Sequence, residues 1–304
     1  MSMRLGADTL SVHVLNVGDG DSIVVELPEA GGSRSHMVVD CKRGDKTIEY
    51  LKRLGATRLG LVVATHPHAD HINGLVAVMK EYPDTGIDQF WDSGFRHNSD
   101  TWYEMVRYVR DDRPSVHFVR PTSGLTTVMS GVEVTVLAPS ISLRNRYDTY
   151  GVNINNSSIV LKLAYKDESI VLAGDAQLES WGKVTEEFPH FEKTSNPAQH
   201  IKVEKSFLPL DCKFLKVSHH GSKHGTALEV IEKLKPNVAA ITCDSPSEYG
   251  FPHHLATDSI KELTDKVLVS HEGSIVFWVN GDGSTGVHQY SDAKNVIPPG
   301  PVRA

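Results

Sequence analysis

Cysteine is scarce in this chain, with only Cys41, Cys212 and Cys243 among 304 residues. No C-x-x-C pair occurs, so neither a disulfide framework nor a cysteine-based zinc knuckle is available, and the three are expected to be reduced thiols buried in strands. Long apolar runs are also missing. No window approaches the roughly 18 apolar residues that a membrane-spanning helix needs, and the opening "MSMRLGADTLSVHVLNVG" has no apolar segment behind a basic start. A soluble, cytoplasmic protein without a membrane partner is therefore the expectation. Excess positive charge is lacking as well: 31 Lys and Arg face 38 Asp and Glu, a formal charge of -7 with 16 histidines counted as neutral. That balance excludes a broad basic surface for nucleic acid and leaves room only for a local basic stripe. No internal repeat is evident. The proline and small polar residues of the last stretch predict a flexible tail at 288–304 behind a single domain at 1–287.

What the chain has instead is histidine, gathered where apolar runs end. With 39% apolar residues, a chain of 304 buries a core large enough for one domain. The runs "LSVHVLNVG", "DSIVVELP" and "SHMVVDC" read as strands of a hairpin-like opening. Further strands are expected at "LGLVVATH", "SVHFVR", "VEVTVLAP", "SSIVLKLAY", "SIVLAGD", "CKFLKVSHH", "NVAAITCD" and "KVLVSHEGSIVFWV". Helical spacing with Gly55 as a stop predicts a helix over "DKTIEYLKRLG"; others fit "HINGLVAVMKEY", "SDTWYEMVRYVRD", "QLESWGKVTEEF", "TALEVIEKLK" and "ATDSIKELTD". Strand runs with helices between some of them, in two halves of similar makeup, predict an α/β (α+β) architecture of sheets packed face to face with helices outside.

Metal-competent groups stand at the ends of four of these runs: "ATHPHADH", "LAGD" closing on Asp175, "KVSHH" closing on His219 and His220, and "CDSPSEYGFPHH" with His253 and His254. Layered folds place chemistry at the C-terminal ends of strands, where the backbone turns outward and loops converge. In a turn leaving its strand, His66 and His68 can converge on one cation while Asp70 and His71 face a second, a donor set that Zn²⁺ or Mn²⁺ accepts. Asp175 is the candidate for a carboxylate bridging the two. Two metals about 3.5–4 Å apart share a hydroxide and lower its pKa towards neutrality. Ligand-type residues packed this closely behind a strand outweigh the reading as a solvated histidine-rich turn.

These residues resemble a known family. "HPHADH" is similar to the HxHxDH signature of the metallo-β-lactamase fold, whose members are four-layer αββα sandwiches with a two-metal hydrolytic site. "NVGDGDSIVVELP" resembles the DVGQGD segment opening the soluble hydrolase domain of ComEC-type competence proteins. "VVDC", "NNSSIVLKLAY", "IVLAGDA", "LKVSHHGSKHG" and "YGFPHH" follow in that group's order, so the resemblance covers about residues 10–280. The membrane channel part of that group is not among the marks, which implies a free-standing hydrolase. Asn16 and Asp19 stand where the pattern has Asp and Gln, and Phe251 where a YGHPH motif has its first histidine. Many relatives of the wider fold supply a histidine before the bridging Asp. This chain has Asn155 and Asn156, as the ComEC group does, and an amide oxygen is a weak ligand that favours Mn²⁺ or a loosely held ion.

The expected roles follow. His66 and His68 bind the first metal, Asp70 and His71 the second, and Asp175 both, with Asp70 also counted as catalytic. Adjacent residues on a strand point to opposite sides, so His220 is expected on the metal and His219 as the proton donor or phosphate contact. His253 is expected to complete the second site or protonate the leaving group, the alternative being a loop histidine in solvent. Asp21 and Asp40 are placed to orient ligand histidines from behind, or simply to close strand-end turns. Asn155, Asn156, Ser222 and Lys223 are the substrate-binding candidates, while His224, His254 and His271 read as surface residues. Arg96, Arg107, Arg110 and Arg113 with Trp102, Tyr103 and Tyr108 suit either a nucleotide-binding face or, the favoured reading, a helix packed on the core. The resemblance implies a phosphodiesterase or nuclease using two divalent ions, Zn or Mn, on DNA, RNA or nucleotides. A lactonase, thioesterase or β-lactamase on the same site is the alternative; so is a regulatory module without activity, against which the intact cluster weighs. A protein partner is left open.

Overall fold

The computed structural model describes residues 5–150, 153–188, 192–193, 204–205 and 209–290. The first half of the chain supplies β1 (Leu10–Val14), β2 (Ser22–Glu26), β3 (His36–Cys41), α1 (Gly44–Leu54), β4 (Leu59–Ala64), α2 (Ala69–Ile72), α3 (Leu75–Lys80), β5 (Ile87–Asp92), α4 (Asp100–Arg107) and β6 (His117–Val119). The second supplies β7 (Thr126–Met129), β8 (Val132–Ala138), α5 (Ile141–Tyr150), β9 (Val160–Tyr165), β10 (Glu168–Leu172), α6 (Leu178–Glu187), the two-residue strands β11 (Glu192–Lys193) and β12 (Glu204–Lys205), and β13 (Phe214–Lys216). It continues with α7 (Leu228–Leu234), β14 (Val238–Ile241), α8 (His254–Leu263), β15 (Lys266–Val269), β16 (Ile275–Val279) and β17 (Thr285–Gln289).

Two mixed sheets result, ordered β17-β16-β1-β2-β3-β4-β5-β6 and β15-β14-β13-β10-β9-β8-β7. Their inner faces form one core because the strands alternate: Leu10, Val12 and Val14 of β1 and Ile23 and Val25 of β2 meet Val134 and Val136 of β8 and Leu161 and Leu163 of β9. The outer faces are apolar too, so each sheet needs helices over it. Val24, Val38, Val62 and Phe90 pack under α1, α3 and α4 through Tyr50, Leu51, Met79, Trp102 and Met105. Val171, Leu215 and Ala239 pack under α6, α7 and α8 through Trp181, Ile231 and Ile260. This is the four-layer αββα sandwich. Strands β3 to β6 run parallel, as do β10, β13, β14 and β15. Each parallel set therefore ends with its C-termini on one rim.

Several local expectations meet corrections. "KVLVSHEGSIVFWV" is not one strand: β15 closes the second sheet, a turn follows at Ser270–Glu272, and β16 enters the first sheet. Strands β5, β7 and β17 and helix α5 were not read from the sequence. The expected tail begins inside β17, where His288 and Gln289 pair with Val276 and Ile275; residues 291–304 lie outside the described residues. Cys41 is a strand residue, but Cys212 and Cys243 flank β13 and β14. All are buried free thiols, pushed up to about 12 by burial and so protonated at neutral pH. Trp102 and Tyr108 belong to the core, and Arg113 is buried with Nε donating to the Tyr108 hydroxyl at 2.7 Å. The helix-on-core reading of that segment is the observed one. No helix of the described residues is long and apolar enough to cross a membrane.

Two constraints in the first sheet yield tests. Gly74, between α2 and α3, donates its N–H to the Cys41 carbonyl at 2.6 Å, and a Cβ there would meet the Gly44 nitrogen at 2.4 Å and Cys41 Sγ at 2.6 Å. Gly74→Ala should lower stability by about 1–3 kcal/mol through overpacking, read from chemical denaturation. At the opposite end of β2 and β3 from Asp21 and Asp40, buried Glu26 lies 3.3 Å from His13, 3.6 Å from His36 and 3.7 Å from Arg34. Burial alone would push its carboxyl up, but the imidazoles of His13 and His36 outweigh it and hold the group well below its ordinary 4.5. A depressed carboxylate contributes stability above the unfolded value and loses it as pH falls through the folded one. Glu26→Gln should thus be less stable than the wild type by about 3 kcal/mol or more near neutrality, with the gap narrowing as unfolding is repeated below pH ~4.

Candidate metal centre

The rim shared by the parallel strands gathers side chains from β3, β4, β10, β13 and β14. Directly after β4, the Thr65 N–H and hydroxyl donate to the two oxygens of Asp40 at 2.8 and 2.6 Å, and the Thr65 carbonyl accepts from Ile159 N–H at 2.9 Å, joining the two sheets. His66 follows. His68 stands at the N-cap position of the single-turn α2, which carries Asp70 and His71. After β10, Asp175 is fixed by its own N–H donating to the Ser158 hydroxyl at 3.0 Å. After β13, Ser218–Gly221 forms a tight turn in which His219 and His220 are both left-handed, at φ 48° and 54°. Gly221 must itself be glycine: its φ is +77°, and a Cβ would lie 2.8 Å from Pro252.

Ligand atoms of His66, His68 and Asp175 lie within 4.8 Å of one another, as do those of Asp70, His71, Asp175 and His220. Asp175 is common to both groups. Its Oδ2 is 3.7 Å from His66 Nε2, while its Oδ1 is 3.2 Å from His71 Nε2 and 3.5 Å from His220 Nε2. Those three Nε2 atoms and Asp175 Oδ1 are buried without a hydrogen-bond partner among the described residues. Buried polar atoms of this kind carry a desolvation cost unless something coordinates them. Imidazole and carboxylate atoms aimed at one another across such a space fit two divalent cations.

The opposite ring nitrogens are occupied. His71 Nδ1 lies 2.7 Å from Asp40 Oδ2, and His220 Nδ1 2.9 Å from the Thr242 hydroxyl, which donates to Asp21 Oδ1 at 2.7 Å. These contacts fix each ring and leave Nε2 facing the centre. Burial and then the neighbouring His71 push His66 well below the ordinary imidazole range, keeping it in the neutral form a metal requires. Burial would raise Asp175, but His71 and His220 hold it well below the usual carboxylate range. Asp21 is likewise pushed up by burial and pulled down further by Lys216, whose Nζ is 2.5 Å away.

A sequence profile of the Metallo-beta-lactamase superfamily matches residues 15–245. The chain belongs to the metallo-beta-lactamase superfamily. Members of this superfamily are generally hydrolases that bind divalent metals, often two. The chain is 24% identical over 303 residues to ComE operon protein 3 of Bacillus subtilis (strain 168), covering 94% of this chain and 35% of that protein. It is 22% identical over 283 residues to Recombination protein 2 of Haemophilus influenzae, covering 90% and 30% respectively. It therefore spans about a third of the length of these relatives. Among solved structures, the metallo-beta-lactamase fold protein YhfI from Bacillus subtilis superposes with a TM-score of 0.51 at 12% identity, covering 92% of this chain and 100% of that one.

Within this metallo-beta-lactamase fold, the structure brings His66, His68, Asp70, His71, Asp175 and His220 together and sets Asp40 and Asp21 behind them. The strand-alternation argument for His219 and His220 does not hold, because their left-handed turn aims both rings at Asp175; His219 Nε2 is 3.7 Å from Asp175 Oδ2. His219 also hydrogen-bonds with Asn155 Nδ2 at 3.3 Å and Gln177 Nε2 at 3.0 Å. His253 is a correction: its Nδ1 accepts from Leu255 N–H at 3.2 Å as the N-cap of α8, and its ring stacks on His254, so its place is a helix end. Asn156 is another, since its Oδ1 accepts from the N–H groups of Gln177 and Ser180 and caps α6. The Ser222 hydroxyl accepts from His224 N–H, and Lys223 is exposed beside it. Thr65, Thr242, Lys216 and His97, whose ring is 5.6 Å from His68, were missed. A lysine inside the apolar run "CKFLKVSHH" was the available signal for Lys216.

Asp175→Ala should abolish most metal binding while preserving the circular dichroism of the wild type, because it removes the group common to both clusters. Elemental analysis should find about two ions per wild-type chain. Asp40→Asn should weaken metal affinity roughly 10–100-fold by releasing His71. A wild type that takes up neither Zn²⁺ nor Mn²⁺ would refute the assignment.

Proposed function

We propose that this chain is a metal-dependent phosphodiesterase acting on a nucleic acid or nucleotide. The observation that carries the reading is the likeness, over nine-tenths of the chain, to a protein named for recombination, with a two-cluster centre intact at its heart. His66, His68 and Asp175 would hold one ion, and Asp70, His71, Asp175 and His220 the other. When bound, such ions supply Lewis acidity towards phosphoryl oxygens and lower the pKa of water.

The protein's own groups do the rest. Asp40 holds His71, and Asp21 holds His220 through Thr242, so the ligand set is rigid before substrate arrives. His219 keeps 17% of its side chain exposed and is braced by Asn155 and Gln177, a position from which it passes a proton to the departing oxygen. With a charge of -7, Arg113 buried and Arg110 paired with Asp111, the attraction for phosphate is concentrated at the metal centre rather than along a groove.

Bis(p-nitrophenyl) phosphate or single-stranded DNA should be hydrolysed in the presence of Mn²⁺ or Zn²⁺, while a chromogenic β-lactam and a lactone should not. His219→Ala should lower kcat by about 10²–10⁴-fold with unchanged metal content. Lactam or lactone turnover without phosphodiester turnover would replace this reading with that of another ester or amide hydrolase.

A further inference from the structure

Beside the metal centre lies a pocket of about 450 Å³ whose lining includes the cluster residue Asp70 together with Asp19, Lys42, Asp244, Glu248 and Tyr249. Its volume is in the range of small-ligand sites. Tyr249 is 68% exposed, the most exposed large apolar side chain among the described residues. Its ring packs against that of Phe251 in a tilted contact, at 5.7 Å between centroids and 30° between planes. Phe251 in turn sits 5.4 Å from His219 and 5.9 Å from His220. An unbroken aromatic staircase thus leads from the histidine turn to the pocket. The loop that carries it is pinned at both ends: His253 N–H donates to the Gly221 carbonyl at 2.9 Å, and both carboxylate oxygens of Asp19 accept backbone N–H groups, from Asp244 at 3.0 Å and Glu248 at 3.2 Å.

We infer that this pocket is a nucleobase subsite in which the exposed ring of Tyr249, backed by Phe251, is the stacking platform. The inference rests on the phosphodiesterase reading above and adds which part of the substrate lies where. An exposed, preoriented ring offers a π-face that any base stacks on, and its backing by Phe251 fixes its tilt. The carboxylates of Asp19, Asp70, Asp244 and Glu248 outnumber the one cation of the lining, Lys42, whose Nζ donates to the Asp19 carbonyl, so the pocket repels phosphate and leaves the phosphodiester to the metals. A base is uncharged, and its exocyclic amino and ring N–H groups are donors that carboxylates accept. Phosphate at the metals and base in the acidic pocket is the arrangement these charges permit. Tyr249 is a member of neither ligand cluster and acts as a specificity determinant rather than a catalytic residue.

The test compares two short oligomers with the same number of phosphates, a thymidine trimer and its fully abasic tetrahydrofuran counterpart, on the Mn²⁺-loaded wild type, Tyr249→Ala and Tyr249→Phe. Equilibrium binding is measured by competition and hydrolysis as kcat/KM. The wild type should favour the thymidine trimer over the abasic one by about 5- to 150-fold, the span expected for stacking of one base. Tyr249→Ala should lose that preference through the thymidine trimer alone, Tyr249→Phe should retain it, and the abasic oligomer should respond equally to all three proteins. Equal treatment of the two oligomers by the wild type, or a preference that survives in Tyr249→Ala, overturns the subsite while leaving the phosphodiesterase reading in place. Failure of the wild type to bind or cleave either oligomer, alongside inactivity on bis(p-nitrophenyl) phosphate, overturns both.

Discussion

A carboxylate buried to 1% exposure between two sets of imidazoles is the interaction on which the remainder depends. Left uncompensated, an ionised group at that depth costs several kcal/mol, and it is chiefly His71 and His220 facing Asp175 that hold its carboxyl low. Those partners come from strand ends in both sheets. Their meeting fixes how the sheets abut at the rim, and the hydrogen bond from Ile159 to the Thr65 carbonyl is the backbone expression of that fit. The relation runs in both directions: the sandwich puts the ligands together, and the unsatisfied ligand atoms make the rim a place where cations lower the free energy of the folded chain.

Backbone strain is stored both in the histidine turn and in the orienting layer behind the ligands. Asp40, His219 and His220 are all left-handed, a backbone state costing L-residues roughly 1–2 kcal/mol each. At Asp40 the outcome is a carboxylate that accepts from Thr65 twice while still reaching His71. At the histidine turn it is two adjacent rings converging on one carboxylate, which extended backbone does not allow. Lys216, fully buried and 2.5 Å from Asp21, offsets part of the negative charge that these aspartates bring into the core. The centre is therefore assembled in layers: ligands, the groups that aim them, and a buried cation behind those.

Much of this was legible in the sequence because the ligands cluster at the ends of apolar runs, and a strand end has few directions in which to send a side chain. The motif HPHADH and the isolated Asp175 were readable for that reason, while strand runs with helices between some of them predicted sheets packed face to face and the family resemblance implied the four layers. What was not legible is conformational. Nothing in "SHHGS" announces two left-handed residues, so an alternation rule was applied where no strand exists. Asn155 and Asn156 are identical neighbours, yet one faces His219 and the other caps α6; only the tight turn at Ile154–Ser157 separates their roles. His253 looked like a ligand because its loop follows a strand end, but its ring lies at a helix start whose N–H groups need an acceptor. The edge strands β7 and β17 escaped because half-buried edges carry weak patterns, whereas the internal β5 was missed because Asp88, Gln89 and Asp92 break up its apolar run.

The position of Phe251 joins the chemistry to the packing. The sequence pattern it resembles has a histidine there, and a third imidazole against His219 and His220 would add another titratable group to an already crowded turn. A phenyl ring instead occupies that side of both histidines without offering a ligand atom, so the ion-binding set is confined to Nε2 of His220 on this flank. Apolar surface next to the centre also keeps water from screening it, and charge interactions there are stronger than at an open surface. The same ring leaves His219 as the histidine with both accessible surface and a hydrogen-bonded brace. Substituting an aromatic ring for a polar one therefore divides the work of the turn: His220 is kept for the metal, and His219 is left facing whatever occupies the space beside it.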